Sequence, residues 1–227
     1  SELLRLLEHL GEGDAFVGYR ILGLLGRGGM GAVYRVHDCE LGEDVALKVL
    51  LHDVAATDGA LERFRREVKL ARRVTHTNVA RTFDLGASAG MRYLTMELVD
   101  GEPLSHRAAR QRPMALSETL RVVGEIARGL AAAHAVGVVH RDLKPDNVLL
   151  AGERVVITDF GIARTSREGR EPDPHATQGL FVGTPAYMAP EQVEGRELDG
   201  RADIFALGIV MFELLTGKLP FSGETPW

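Results

Sequence analysis

Leucines at positions 3, 4, 6, 7 and 10 form a helical stripe closed by Gly11, so a short leading helix is expected, followed by a turn through GEGD. From Tyr19 to Val49 the spacing shortens. RILGLLG, GAVYRVHD and DVALKVLL are β-type runs separated by GRGGMG and CELGED, which predicts a three-stranded antiparallel meander. Between Asp58 and Val74 the period lengthens to that of a helix. Leu61, Phe64, Val68, Ala71 and Val74 share one side, and Arg63, Arg65, Arg66, Lys69, Arg72 and Arg73 the other. Glu67 falls inside the apolar sector, where a carboxylate needs a cationic partner or several donors.

Further along, VARTFDLG and MRYLTMEL read as a second strand pair, and VDGEP (Val99 to Pro103) as a linker between two lobes. Ser117 is placed to cap a helix running to about His134, with Leu120, Val123, Ala127 and Leu130 on one face. VLLA and RVVITD are short strands beside the loops HRDLKPDN and DFG. Residues 164 to 182, rich in charge, Pro and Gly, predict a long loop. Asp203 to Thr216 is apolar nearly all round and stops at Gly217, as a helix buried in the second lobe would.

The 227 residues suit one large domain or two small lobes, and 45% apolar with 26% charged residues argues against disorder and fibrous repeats. A net charge of −5 speaks against a nucleic-acid partner, whose phosphates call for a basic surface. Cys39 is the single cysteine, so no internal disulfide forms and a reducing compartment is expected. The apolar run from Ile204 to Phe212 is broken by Glu213 and is too short for a membrane segment. The expected location is cytoplasmic, either as a whole chain or as the cytoplasmic portion of a longer protein.

Gly26-x-Gly28-x-x-Gly31 by itself fits a hairpin turn and a phosphate loop equally. A dinucleotide-binding fingerprint needs a helix directly after the glycines, whereas AVYRV alternates like a strand. A hairpin cap whose amides lie over phosphates fits better, with glycine permitting close approach. Lys48 in VALKVL, read alone, is a rim lysine reaching for water. Read together with interior Glu67, it becomes half of a buried ion pair that positions an ammonium for a polyphosphate. Asp142 and Asn147, with Lys144 between them, and Asp159 at a strand end offer hard oxygen donors. Each has an ordinary reading as turn chemistry. In this order and spacing, coincidence explains them poorly.

GRGGMGAV, VALK, HRDLKPDN, DFG and APE together resemble the eukaryotic-type (Hanks-type) serine/threonine protein-kinase family, from about Phe16 to Phe221. HRDLKPDNVLL and GTPAYMAPEQ look like its bacterial members, and Lys144 and Thr184 match the Ser/Thr pattern. The resemblance implies an α+β bilobal fold: an N-lobe antiparallel sheet with one main helix, and a mainly helical C-lobe. The implied division is a helical extension over 1–15, an N-lobe over 16–98 and a C-lobe over 99–227, with the hinge at about 97–101.

By the same resemblance, Leu25, Gly26, Gly28, Gly31 and Val33 cover ATP, and Lys48 holds its α- and β-phosphates, oriented by Glu67. Asp142 accepts the proton of an incoming hydroxyl, Lys144 neutralises the travelling phosphoryl group, and Asn147 and Asp159 bind Mg²⁺. Met96 is the gatekeeper; backbone groups of Glu97 and Val99 bond the adenine, which Val33, Ala46 and Leu149 sandwich. Asp203 caps its helix and braces the HRD backbone. Arg141 implies activation by loop phosphorylation, with Thr177 preferred over Thr165 and Ser166. The implied partners are a protein substrate with a Ser or Thr acceptor and a second kinase copy for trans-autophosphorylation. The family continues beyond the position of Trp227 with further C-lobe helices and an arginine for Glu191, so a truncated C-lobe with impaired stability is expected. A pseudokinase scaffold is the alternative, against which stand Lys48, Asp142 and Asp159; a dinucleotide-binding oxidoreductase is disfavoured.

Overall fold

Strand alternation decides which residues meet the second lobe. The computed structural model describes residues 12–28, 31–50, 60–88, 91–160 and 185–221. The leading helix expected over 1–10, the loop over 164–182, and Thr165, Ser166, Thr177 and Thr184 lie outside these residues. Strands β1 (Ala15–Phe16), β2 (Tyr19–Gly28), β3 (Gly31–Asp38) and β4 (Glu43–Leu50) form the expected meander. With β5 (Thr82–Ser88) and β6 (Met91–Met96) they make a sheet of order β1-β2-β3-β4-β6-β5. Ala32, Tyr34 and Val36 lie opposite Val49, Leu47 and Val45, and this face is the buried core. The other face carries Val33 opposite Lys48, and Arg35 opposite Ala46. A slip of one residue would exchange the two faces. Between Leu24 and Gly26 the β2/β3 register shifts, leaving Leu25 as the extra residue, 54% exposed.

Gly31 is demanded by the chain itself. Its φ is +152°, and a Cβ there would stand 1.9 Å from the Val49 carbonyl oxygen. At Gly26 and Gly28 an added Cβ meets nothing within 4 Å among the described residues.

Helix α1 (Ala60–Ala71) buries Phe64, Val68 and Ala71 against Leu50 and Leu94, as its stripe predicts, with Phe160 at the margin. Val74 is also buried, but in a turn after the helix. The chain then passes an extended hinge into β7 (Glu102–Pro103), α2 (Leu104–Arg110) and α3 (Leu116–His134). A 3₁₀ turn (Pro145–Asn147) and the hairpin β8 (Val148–Ala151) and β9 (Arg154–Ile157) follow. Beyond them lie a second 3₁₀ turn (Pro185–Tyr187), α4 (Pro190–Val193) and α5 (Gly200–Thr216). The second-lobe core joins Val122, Ile126 and Leu130 of α3 to Val210 and Leu214 of α5 beneath the hairpin.

Three expectations need correction. Ser117 does not cap α3: Ala115 is the N-cap residue, without a side-chain bond. Buried Met114 donates its N–H to the Leu214 carbonyl at 2.8 Å, and this tertiary anchor sets the start. The buried stripe of α3 is Thr119, Val122, Ile126, Gly129, Leu130 and Ala133, while Leu120 is exposed. Packing is tightest at Gly129, where a Cβ would lie 2.9 Å from both the Asn78 carbonyl oxygen and Ile157 Cδ1. Apolar character alone could not reveal such a site. Helix α5 is capped by Asp199, whose carboxylate accepts the Arg201 N–H, and it leaves Ile204 and Phe212 exposed. Its end at Gly217, φ +68°, is as expected.

Released from capping, Asp203 is buried one turn into α5 and ties the second lobe to the loop over 140–147. Its Oδ2 accepts the His140 N–H at 2.8 Å and lies 2.7 Å from His134 Nε2; its Oδ1 accepts the Arg141 N–H at 2.8 Å. His140 is fully buried; its Nε2 lies 2.9 Å from the Thr158 carbonyl and its Nδ1 3.2 Å from the Asp142 N–H. A carbonyl can only accept and an N–H can only donate, so the ring is neutral with its proton on Nε2. Burial pushes the imidazole pKa down, outweighing the pull of the Asp203 charge.

Gly31→Ala is expected to cost about 2 kcal/mol or more and to lower Tm by at least several degrees, whereas Gly28→Ala leaves Tm within about 1 °C. Thermal melts of both variants check the contrast. A second expectation concerns pH. Unfolded His140 takes a proton near 6.5 but the native ring resists it, so its share of stability is complete above that pH. That share is lost as pH falls through the lower folded value. Ring ¹⁵N shifts should show the Nε2–H tautomer with no titration at 6.5; an Nδ1–H ring or an ordinary titration contradicts this.

Candidate active site

The β8/β9 register assembles the polar centre. Val148 pairs with Ile157, which places Asn147 beside Thr158; the Asn147 carbonyl accepts the Thr158 N–H at 2.9 Å. Asp159 follows directly. Asn147 Nδ2 donates to the Asp142 carbonyl at 2.7 Å and approaches Asp142 Oδ2 at 3.4 Å. Lys144 Nζ stands 3.6 Å from that same oxygen. Asp142, Lys144, Asn147 and Asp159 thus share one wall of the cleft between the lobes.

Lys48 reaches this wall from β4. Its Nζ donates to Asp159 Oδ1 at 2.7 Å, with the lysine side chain 14% and the aspartate 30% exposed. The expected pairing of Lys48 with Glu67 is not the one formed. Glu67 Oε1 instead accepts from Arg141 Nη1 at 3.1 Å. The reason is supply across the cleft: each lobe contributes one cation and one carboxylate, and each carboxylate takes the cation of the opposite lobe at hydrogen-bond distance.

Asp159 holds a left-handed backbone, φ +57°, which costs a residue with a Cβ about 1–2 kcal/mol. Burial raises its carboxyl pKa, but Lys48, with Lys144 beyond, more than offsets this and holds it below the ordinary carboxylate range. It is therefore charged at neutral pH. Asn147, its Nδ2 spent on the Asp142 carbonyl, has its side-chain oxygen as the remaining acceptor. One carboxylate and one amide oxygen are donors of the kind that magnesium takes alongside phosphate oxygens and water. Among the described residues no group of three or more His, Cys, Asp or Glu side chains could hold a metal.

An apolar recess adjoins the charged wall, lined by Lys48, Leu50, Ala80, Thr82, Leu94, Met96, Asp159 and Phe160, so Met96 borders the interior behind the cleft. Val33 and Leu149 are half-buried and Ala46 is buried. Pro103 pairs with Leu149, bringing β8 beside the hinge. The hinge crosses close to it: a Cβ on Gly101 would lie 2.8 Å from the Leu150 carbonyl oxygen. Glu97 is held by its N–H to the Arg81 carbonyl at 2.8 Å and by Arg154 on Oε1 at 3.1 Å.

Two participants escaped the sequence reading. Arg154, at an exposed strand end, anchors the hinge and carries no signal. Gln192, directly after Ala-Pro-Glu, donates to the Arg141 carbonyl at 2.8 Å. An amide in the first turn of a helix is the signal for a capping role, and that much could have been read. Glu191 is half-buried.

A protein kinase domain family model matches residues 19–226. Serine/threonine-protein kinase Pkn1 of Myxococcus xanthus is 44% identical over 211 residues, covering 91% of this chain and 30% of that protein. Serine/threonine-protein kinase PknA of Mycobacterium tuberculosis is 38% identical over 212 residues, covering 91% of this chain and 48% of that one. The chain thus spans less than half the length of these relatives. The crystal structure of the M. tuberculosis PknI kinase domain matches with a TM-score of 0.75 and 33% identity, over 94% of this chain and 78% of that one. The expected bilobal fold and the resemblance read from the five motifs are both borne out: the chain belongs to the protein kinase family, among serine/threonine kinases of the bacterial kind.

Proposed function

We propose that this domain transfers the γ-phosphoryl group of ATP to serine and threonine hydroxyls of protein substrates, its own segment between DFG and APE included. The observation that carries the reading is the convergence of Lys48, Asp142, Asn147 and Asp159 on one cleft beside the glycine hairpin. Such a centre suits a loose, metaphosphate-like transition state, which calls for positioning and charge neutralisation rather than a protein nucleophile. Bound Mg²⁺, held by Asn147 and Asp159, would supply charge neutralisation between phosphate oxygens. Lys48 would hold the α- and β-phosphates. Asp142, steadied on Oδ2 by Asn147 and Lys144, would orient the acceptor hydroxyl and take its proton. Leu25, Gly26, Gly28, Gly31 and Val33 would cover the nucleotide, with Ala46, Met96 and Leu149 about the base. The Glu97 N–H is committed to Arg81, so its carbonyl and the Val99 amide are the hinge groups for adenine.

The two cross-lobe ion pairs give regulation a physical form. On this reading Glu67 turns to Lys48 as Arg141 is drawn to another partner. A phosphate on Thr177 (Thr165 and Ser166 are the other candidates) would carry nearly two charges and would compete for that arginine. A second copy of the domain would supply it in trans. We place the domain boundaries at 16–98 and 99–227, after an extension over 1–15, and the domain in the cytoplasm with no nucleic-acid partner. No helix of the described residues is long and apolar enough to cross a membrane. A pseudokinase role is disfavoured because none of the charged groups of the site is missing.

Asp142→Asn should lower phosphoryl transfer from labelled ATP to a generic protein acceptor by about 10²- to 10⁴-fold, with nucleotide affinity nearly unchanged. Labelling that persists in the variant refutes the role. Mass spectrometry after incubation with Mg·ATP should place phosphate on Thr177; phosphate found only outside residues 164–183 overturns that assignment.

A further inference from the structure

The peptide unit joining Arg141 to Asp142 is gripped at both polar ends. Its N–H, on Asp142, donates to His140 Nδ1 at 3.2 Å. Its carbonyl, on Arg141, accepts from Gln192 Nε2 at 2.8 Å. The preceding N–H, on Arg141, is held by Asp203 at 2.8 Å. Resting on the phosphotransfer reading above, we propose that Gln192 is a positioning residue that fixes the orientation of the Asp142 carboxylate by locking this peptide plane.

A strained residue adjoins the gripped plane. Arg141 has φ +65°, a conformation that residues with a Cβ rarely hold unless the surroundings over-determine it. Asp203 holds the amide on the N-terminal side of that φ; the plane on the other side, which carries Asp142 Cα at its edge, is free to turn about ψ of Arg141 and φ of Asp142 unless its own polar ends are held. Any such rotation swings the carboxylate away from the acceptor hydroxyl. His140 opposes it at one end of the plane and Gln192 at the other. Asp203 holds the His140 and Arg141 amides, both of which precede this plane, so it does not prevent rotation of the plane itself.

The residue type follows from the task. Gln192 is the third residue of α4, and its Oε1 accepts the Ala189 N–H at 3.1 Å while its Nε2 serves Arg141. The amide of glutamine accepts at one atom and donates at the other, as this place requires; a carboxylate only accepts, and lysine only donates. Asparagine would be one methylene too short to span both partners. The amide thereby links the start of α4 to the residue before the proposed catalytic base.

The dual role makes the proposal separable from simple stability. Gln192→Glu keeps the acceptor for Ala189, the usual N3 arrangement, but sets an oxygen against the Arg141 carbonyl. Gln192→Met keeps the length and loses both bonds. Expected for Gln192→Glu are a kcat lowered about 10- to 100-fold, KM for ATP and Mg·ADP affinity within about twofold, and Tm within about 2 °C of wild type. Hydrogen exchange at the Asp142 amide should be faster in both variants. A wild-type kcat in Gln192→Glu overturns the proposal, as does a loss of kcat that is matched by equal losses of nucleotide affinity and Tm. If wild type and Asp142→Asn label acceptor alike, the phosphotransfer reading falls instead. Exchange at the Asp142 amide then still decides whether Gln192 locks the plane, with unchanged protection in both variants refuting it.

Discussion

A buried carboxylate that accepts two consecutive backbone amides is an uncommon arrangement, and the active centre is organised around one. Asp203 sits in a helix core with almost no exposure, where an unsatisfied charge would be prohibitive. It is tolerated because the N–H groups of His140 and Arg141 and the His134 ring surround it. The same bonds leave the loop little freedom. They hold Arg141 in a left-handed conformation, and the buried His140 ring spans from the Asp142 amide to the Thr158 carbonyl. From Thr158 the constraint passes to Asn147 and Asp159. The second-lobe wall of the cleft is thus one connected hydrogen-bonded body whose parts cannot shift singly.

Much of this was legible in the chain because it obeys short-range rules. Period-two alternation from Ala32 to Val36 and from Val45 to Val49 fixes the buried face of the meander, and with it the placement of Val33, Ala46 and Lys48 on the opposite face. The stripe of α1 and the glycine stop of α5 follow from equally local rules. What was not legible depends on distances between elements. The start of α3 is set by the Met114 bond to Leu214, and its buried stripe passes through Thr119 and Gly129, where close approach matters more than hydrophobicity. Asp203 reads as a cap in sequence; the structure gives that work to Asp199 and leaves Asp203 to hold the 140–147 loop.

The same limit explains the ion pairs. Sequence placed Lys48 and Glu67 on interior faces of neighbouring elements, which makes them natural partners. It held no information on how far Asp159 and Arg141 stand from each. Partner choice among two cations and two carboxylates is settled by ångström differences across a cleft, beyond the reach of periodicity. The glycine loop divides similarly. Gly31 is needed because the Val49 carbonyl lies where a Cβ would go, an intramolecular cause that a phosphate-binding motif does not suggest.

Rigidity and exchangeability are therefore distributed unequally, and the distribution suits a phosphotransferase. Within the second lobe the constraints are backbone hydrogen bonds around buried groups, costly to break because each would leave a polar atom unsatisfied. Across the cleft they are ion pairs between partly exposed side chains, which solvent screens and which contribute on the order of 1 kcal/mol each. A polyphosphate or a phosphorylated segment brings more charge than either resident carboxylate, so it can take Lys48 or Arg141 at little net cost. Exchange of partners between the lobes then changes the electrostatics around Asp159 and Glu67 while the carboxylate of Asp142 keeps its place. Under the proposed function, catalysis by positioning calls for such a division: the groups that would align the hydroxyl must not yield when the groups that would hold the nucleotide do.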